Sequence, residues 1–144
     1  MDIIFDVDGT LMDISHRKKF VESKPKDWNS FRDETPNDTP IKEVFLTAIA
    51  LQKAGHHIII ASGRNKSQRA ITIKQLIGEG LVFIDLFMRS DKDFRSDVVL
   101  KREMLGAMRR KGYNPKMVFD DRSSVVQMWR DEGLRVAQVA PGDF

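Results

Sequence analysis

The stretch that decides the fold is IIFDVDGTLMD, residues 3–13. Three apolar residues lead directly into two aspartates one position apart, Asp6 and Asp8, and a Gly-Thr pair follows. Two carboxylates this close repel each other, and each favours protonation of the other. A buried strand that ends in such a pair therefore indicates a site where positive charge holds the two acids together.

Apolar runs of strand length alternate with segments of helical spacing along the rest of the chain. The predicted strands are residues 2–7, 57–62, 82–87, 116–120 and 134–140. The predicted helices are one that begins at Thr39-Pro40, with Thr39 as its N-cap, and others over 66–77, 97–111 and 123–132. This alternation predicts an α/β fold with a central parallel sheet of about five strands, flanked by helices.

Polar residues follow three of these strands, at the point where each strand ends. They are Asp6, Asp8 and Thr10; Ser62, Gly63 and Arg64; and Asp120 and Asp121, with Lys101 on the helix before the fourth strand. Ligands of open α/β sheets bind beyond the carboxyl ends of the strands, where the strand order reverses. We therefore expect these side chains to converge on one edge of the sheet.

Such a constellation is suited to phosphoryl transfer. Asp6 is placed to attack phosphorus as a nucleophile, and Asp8, on the same face, to act as general acid and base. Oxygen ligands from Asp6, Asp120 and Asp121 suit Mg²⁺, which would relieve the repulsion between the acids. The hydroxyls of Ser62 and Thr10 would donate to phosphate oxygens, and Lys101 would supply a compact positive charge.

Each motif also has a plainer explanation. The two aspartates of the first loop suit a calcium turn or an acidic loop, Ser62-Gly63-Arg64 an ordinary turn, and Asp120-Asp121 a solvated helix start. A single lysine such as Lys101 is most often a surface residue. All four together, in this order and at strand ends, favour catalysis.

The four motifs resemble those of the haloacid dehalogenase (HAD) superfamily of phosphatases, which implies a Rossmann-like HAD fold. That resemblance implies Asp6 as nucleophile, Asp8 as acid and base, and Asp6, Asp8 and Asp120 as Mg²⁺ ligands. Asp8 would bind the metal through its backbone carbonyl, and Asp121 would be a second acid of the site.

A closer resemblance, to the phosphatase half of phage-type polynucleotide kinase 3′-phosphatases, rests on the C-terminal stretch FDDRSSVVQMWRDEGLRVAQVAPGDF, on Ser62-Gly63-Arg64 and on DVVLK, residues 97–101. It implies that Arg17, Arg64 and Asp97 contribute to phosphate or substrate binding. Asp97 and Lys101 are four residues apart, so an ion pair between them is expected.

The segment 15–38 is polar and irregular, and the resemblance is weak there. We interpret it as a small cap or a substrate-specificity insert, too short for a large cap domain. Its basic residues would contact a nucleic-acid strand or form a solvated face, and Trp28 and Phe31 would stack on a base or anchor the segment. The expected substrate is a nucleic acid 3′ end; the alternative is a nucleoside monophosphate or another small ester.

Composition sets the remaining expectations. The chain has 144 residues, 41% of them hydrophobic, which fits one domain, residues 1–144, with its own core. It has no cysteine, no apolar run of membrane length and no recognisable signal peptide, so a cytoplasmic protein without membrane partners is expected. Its net charge of +3 is compatible with a polyanionic partner. The sequence leaves the oligomeric state open, and no GxxxxGK[ST] kinase loop is present.

Overall fold

The structure, a computed structural model, describes residues 1–144. The strands are β1 (Asp2–Phe5), β2 (Met12–Asp13), β3 (Thr39–Pro40), β4 (His57–Asn65), β5 (Asp85–Arg89), β6 (Pro115–Asp120) and β7 (Arg135–Gln138). The helices are α1 (Lys19–Glu22), α2 (Trp28–Asp33), α3 (Lys42–Lys53), α4 (Arg69–Gly78), α5 (Asp97–Arg110) and α6 (Ser123–Asp131). None of them has the length and apolar character needed to cross a lipid bilayer.

Five strands form one parallel sheet in the order β5-β4-β1-β6-β7. The expected α/β fold with a central five-stranded parallel sheet is therefore confirmed. The chain starts in the centre at β1, builds one side through β4 and β5, and then builds the other side through β6 and β7. The strand order thus reverses at β1, and the loop that carries Asp6 and Asp8 lies at that reversal.

The core lies on both faces of the sheet because side chains alternate along each strand. Ile3 and Phe5 of β1 belong to a buried cluster with α3 and α4, whereas Ile4 belongs to a second cluster with α5 and α6. Burial on both faces accounts for the continuous apolar runs by which these strands are recognised in the sequence.

The helix predicted to begin at Thr39-Pro40 begins later, at Lys42, with Ile41 as its N-cap residue. Thr39 and Pro40 instead form β3, which pairs antiparallel with Asp13 and Met12 of β2. The capping signature is local, and this pairing with residues 26 or more positions away outweighs it. The segment between β2 and β3 starts and ends at this two-stranded ribbon and lies over the carboxyl edge of the main sheet.

One strand of the main sheet also differs from its prediction. The third predicted strand, 82–87, is displaced to Asp85–Arg89, and Val82 and Ile84 are exposed rather than buried in the sheet. Apolar residues before the strand made the segment 82–84 resemble part of it. The displacement carries the strand to Arg89, whose side chain reaches the site described below.

Candidate active site

The loop after β1 folds back on itself and holds Asp6. The hydroxyl of Thr10 donates to Asp6 Oδ2 at 2.9 Å, and the Gly9 amide donates to the Met12 carbonyl at 2.8 Å. Gly9 has a φ of +83°, and a Cβ at this position would collide with the Asp121 carboxylate. A glycine is therefore required where the first loop passes the second acidic pair.

Lys101 lies between the acids of two strands. Its Nζ donates to Asp6 Oδ1 at 2.7 Å and to Asp120 Oδ2 at 3.0 Å, and the residue is almost completely buried. Burial by itself lowers the pKa of Lys101, but the carboxylates of Asp120 and Asp6 outweigh it and raise that pKa. The lysine is thus held charged at the base of the site.

Asp6, Asp120 and Asp121 form a cluster of buried carboxylates, each offering an oxygen within 4.8 Å of the others. Burial and the neighbouring charge of Asp120 raise the pKa of Asp6, with Lys101 opposing them. Burial and the same Asp120 charge raise the pKa of Asp121. Three hard oxygen donors with unfavourable mutual repulsion are a fitting donor set for a divalent cation. Lys101 alone offsets only part of that repulsion.

The carboxylate of Asp8 lies outside this cluster, because two arginines hold it. Arg64 Nε and Arg17 Nη2 donate to Asp8 Oδ1 at 2.9 and 3.1 Å. Burial would raise the pKa of Asp8, but the charges and hydrogen bonds of Arg64 and Arg17 outweigh it and hold that pKa below its ordinary value. The side chain of Asp8 is about a quarter exposed, toward the site.

A residue that the sequence analysis missed, Asp38, organises the two arginines. Its fully buried carboxylate accepts from Arg17 Nε at 2.7 Å and from Arg17 Nη2 and Arg64 Nη2 at 2.9 Å each. His16 Nε2 lies 2.7 Å from Asp38 Oδ1, the same oxygen that accepts from Arg17 Nε. The sequence analysis assigned Arg17 and Arg64 to phosphate or substrate binding and gave no signal for a buried carboxylate that pairs with them.

Asp97 does not form the expected ion pair with Lys101. Its carboxylate accepts instead from Arg89 Nη2 at 2.5 Å and from Arg122 Nη1 at 3.2 Å. A Cβ on Gly63 would approach Asp97 Oδ1 to 2.9 Å, so the glycine makes room for this carboxylate. Asp97 therefore fixes two arginines at the rim, neither of which the sequence analysis singled out.

These residues surround a cavity of about 760 Å³ at the carboxyl edge of the sheet. The predicted residues that line it are Asp6, Asp8, Gly63, Arg64, Asp97, Lys101, Asp120 and Asp121. Three others, Thr10, Arg17 and Ser62, are buried behind this wall and do not line it. The phosphate contacts expected of these three stay predictions; here Thr10 and Arg17 hold Asp6 and Asp8, and Ser62 Oγ accepts from the Arg64 amide at 3.1 Å.

The insert between β2 and β3 forms one wall of the same cavity. Lys18, Lys26, Trp28, Phe31 and Arg32 all line it. The Phe31 ring packs against the Arg17 guanidinium, 4.2 Å from the ring centroid, so Phe31 has the anchoring role. Trp28 packs edge-on against Phe31 and is still 49% exposed.

Two solved chains resemble this one closely over its length. They belong to the Pnkp1/Rnl/Hen1 complex and to the Pnkp1/Rnl/Hen1 RNA repair complex; both are 28% identical, with TM-scores of 0.83 and 0.84 over 99% of this chain. This chain spans only 47% and 43% of those chains. A hydrolase from Streptococcus pneumoniae TIGR4 shares the fold at 16% identity, with a TM-score of 0.67 over 97% of this chain and 92% of that one.

A family model described as the polynucleotide kinase PNKP phosphatase domain matches residues 1–144. The match spans both acidic pairs, Lys101 and the insert, and the strand order agrees with the Rossmann-like fold of the HAD hydrolases. The chain therefore belongs to the family of PNKP-type HAD phosphatase domains and is a phosphatase, a phosphoric monoester hydrolase.

Proposed function

We propose that this protein is a Mg²⁺-dependent phosphatase that removes the 3′-phosphate from DNA or RNA ends through an aspartyl-phosphate intermediate on Asp6. The observation that carries the proposal is the placement of Asp6. It lies at the reversal of the strand order, held by Thr10 and Lys101, and opens on a cavity that Asp8 also lines. The family match supports the phosphatase chemistry.

In the proposed first step, an Asp6 carboxylate oxygen attacks phosphorus. The bond between phosphorus and the 3′ oxygen breaks, and Asp8 gives its proton to that oxygen. The arginines keep Asp8 ionised in the free protein, so it must gain this proton when substrate binds. The negative charge of the arriving phosphate favours that gain, because a nearby like charge raises the pKa of a carboxyl group.

In the second step, water attacks phosphorus of the aspartyl-phosphate and Asp8 takes the proton from it. Inorganic phosphate leaves and Asp6 is restored. Lys101 keeps a fixed positive charge beside the nucleophile throughout both steps. Mg²⁺, when held by Asp6, Asp120 and Asp121 and, as the family resemblance implies, by the backbone carbonyl of Asp8, would neutralise charge on the transferring phosphoryl group.

The insert supports a nucleic-acid end as the substrate over a small ester. It provides a cavity wall with cations and an aromatic ring but leaves the cavity open to solvent, so a strand can extend beyond the phosphate. Two related chains come from complexes that include an RNA repair assembly. We infer that the segment 15–38 acts as a small cap that selects the substrate.

The test is phosphate release with Mg²⁺ from a 3′-phosphorylated oligonucleotide, its 5′-phosphorylated isomer, and 3′- and 5′-nucleoside monophosphates. We expect the 3′-phosphorylated oligonucleotide to have the highest kcat/KM. Asp6→Asn should lower turnover by about 1,000-fold or more, since it removes the nucleophile. The exposed Asp131→Asn on α6 is the matched control and should keep full activity.

Other outcomes of this assay would contradict parts of the proposal. Faster hydrolysis of mononucleotides than of oligonucleotides would make the protein a nucleotide phosphatase with a closing insert. Retained turnover in a folded Asp6→Asn variant would refute the aspartyl-phosphate route. Full activity after removal of divalent ions with a chelator would refute the Mg²⁺ requirement.

A further inference from the structure

Phe94 is the most exposed large apolar side chain of the protein, at 90%, and it lies at the rim of the active-site cavity. Its loop is braced on both sides. Arg89 Nη1 donates to the carbonyls of Asp93 and Arg95 at 3.1 and 2.6 Å, and the Arg95 guanidinium binds the Asp93 carboxylate. The phenyl ring is thus presented to solvent by an ordered loop.

Trp28, on the insert between β2 and β3, lines the same cavity. One side of its ring system meets Phe31, with ring centroids 5.7 Å apart and planes at 88°. The Lys26 ammonium lies 5.6 Å from the indole centroid. The anchored Trp28 therefore offers an aromatic surface to the cavity that Phe94 also lines.

The wall around Trp28 also carries positive charge without carboxylate partners. Lys18, Lys26 and Arg32 line the cavity, and none of them forms an ion pair with an acid. One acid of the insert, Glu22, also lines the cavity. Cations interleaved with exposed aromatic rings are the usual binding surface for a single-stranded nucleic acid, whose phosphates meet the cations and whose bases stack on the rings.

We propose that Phe94 and Trp28 are base-stacking positions that hold the nucleotides next to the 3′-phosphate of a single strand. This inference rests on the proposed 3′-phosphatase function. It assigns the residues by which the protein distinguishes a nucleic-acid strand from a small phosphate ester. A cavity of about 760 Å³ exceeds what a phosphoryl group fills and has room for a base beside it. The occupant is single-stranded, because a stacked duplex would not expose base faces to both rings.

The test compares two 3′-phosphorylated oligonucleotides of equal length, one with all its bases and one abasic at the last two positions. The wild type should have a kcat/KM about 5- to 100-fold higher for the base-bearing strand. Phe94→Ala should reduce that ratio markedly, and Phe94→Tyr should retain it. Leu46→Ala, which removes a 71% exposed side chain on α3 away from the cavity, is the control and should leave the ratio unchanged.

The possible failures are distinguishable. If the wild type releases phosphate from small esters but not from either oligonucleotide, the proposed function itself fails. If both oligonucleotides are hydrolysed but their ratio is the same in the wild type and Phe94→Ala, only the stacking role of Phe94 is refuted. An equal loss on both oligonucleotides in Phe94→Ala also refutes it, since that loss does not depend on a base.

Fluorescence gives a separate measurement for Trp28. The protein has two tryptophans, and the second, Trp129, is completely buried in the core. In the Asp6→Asn variant, which keeps its substrate intact, the base-bearing strand should quench tryptophan emission more than the abasic strand does. Trp28→Phe should abolish the difference, and a difference that persists would refute stacking on Trp28.

Discussion

At the scale of single residues, Asp38 determines how Asp8, the proposed acid and base, is held. Its carboxylate binds Arg17 through two nitrogens and Arg64 through one, and both arginines meet again on Asp8. No buried side-chain nitrogen or oxygen lacks a hydrogen-bond partner in the protein. Asp38, behind the site, therefore fixes the positions of the two arginines, and the arginines in turn bind Asp8 inside the site.

We expect Asp38→Asn to destabilise the protein and to slow catalysis. The change leaves two buried guanidinium groups with one carboxylate between them, and breaking a buried pair in this way costs about 3 kcal/mol or more of unfolding free energy. Because Asp38 does not line the cavity, kcat should fall while KM for the oligonucleotide changes little. Urea unfolding and steady-state kinetics measure the two effects.

His16→Gln is the matched control for this variant. It removes the outer partner of Asp38 and leaves both arginines in place. We expect a small change in stability and kcat. A fall in kcat as large as that of Asp38→Asn would contradict the positioning role, because it would show that any disturbance of the insert slows the reaction.

At the scale of the elements, the sequence located all five strands of the sheet because their apolar signals are local, but not all of their ends. The strand predicted over 57–62 continues to Asn65, so Ser62, Gly63 and Arg64 lie within β4 rather than after it. Buried apolar runs end at the polar residues, and parallel pairing brings those ends to one edge without further information. Two of the errors arose where distant contacts decide. Lys101 donates hydrogen bonds to Asp6 and Asp120 rather than to Asp97 on its own helix. Thr39 pairs with Asp13 in a strand rather than capping a helix.

Asp38 escaped prediction for the same reason. It stands in an irregular segment, 21 residues from Arg17 and 26 from Arg64, with no periodic pattern around it. Only the folded insert brings the three side chains together. The sequence analysis also described residues 15–38 as irregular, whereas the structure forms the short helices α1 and α2 there. Contacts between distant residues, and the short elements that depend on them, are what the sequence alone did not supply.

Asp85 ties an edge strand to the turn after α5. Its carboxylate accepts from Lys111 Nζ at 2.7 Å, from the Tyr113 hydroxyl at 3.0 Å and from the Leu86 amide at 2.8 Å. Burial would raise the pKa of Asp85, but these hydrogen bonds outweigh it and lower that pKa. The ionised form therefore stabilises the folded state at pH values above the unfolded-state pKa of about 4.

We expect Asp85→Asn to unfold at a lower urea concentration than the wild type at pH 7. The difference should narrow as the pH falls below about 4, since the wild type then loses the same ionised group. Asp33→Asn, an exposed change on α2, is the control and should follow the wild type throughout. A difference independent of pH would show that the packing of Asp85, not its charge, stabilises the edge strand.

At the scale of the whole molecule, the net charge of +3 and the unpaired cations at the cavity predict how binding responds to salt. Each phosphate contact with a single strand adds about 0.7 to the slope of log Kd against log salt concentration. If Lys18, Lys26 and Arg32 each contact a phosphate, the slope is about 2. Oligonucleotide binding to the Asp6→Asn variant, followed by fluorescence anisotropy between about 50 and 200 mM salt, measures it.

Two further substitutions separate local contacts from the overall field. Lys26→Gln removes a cation that lines the cavity, and Lys53→Gln removes an exposed one at the end of α3, outside the cavity. Each lowers the net charge by one unit, so the long-range attraction for a polyanion changes equally. We expect the slope to fall by about 0.7 in Lys26→Gln alone. Equal slopes in the two variants would mean that net charge, rather than the cap, attracts the strand, and the insert would lose its assigned role in substrate choice.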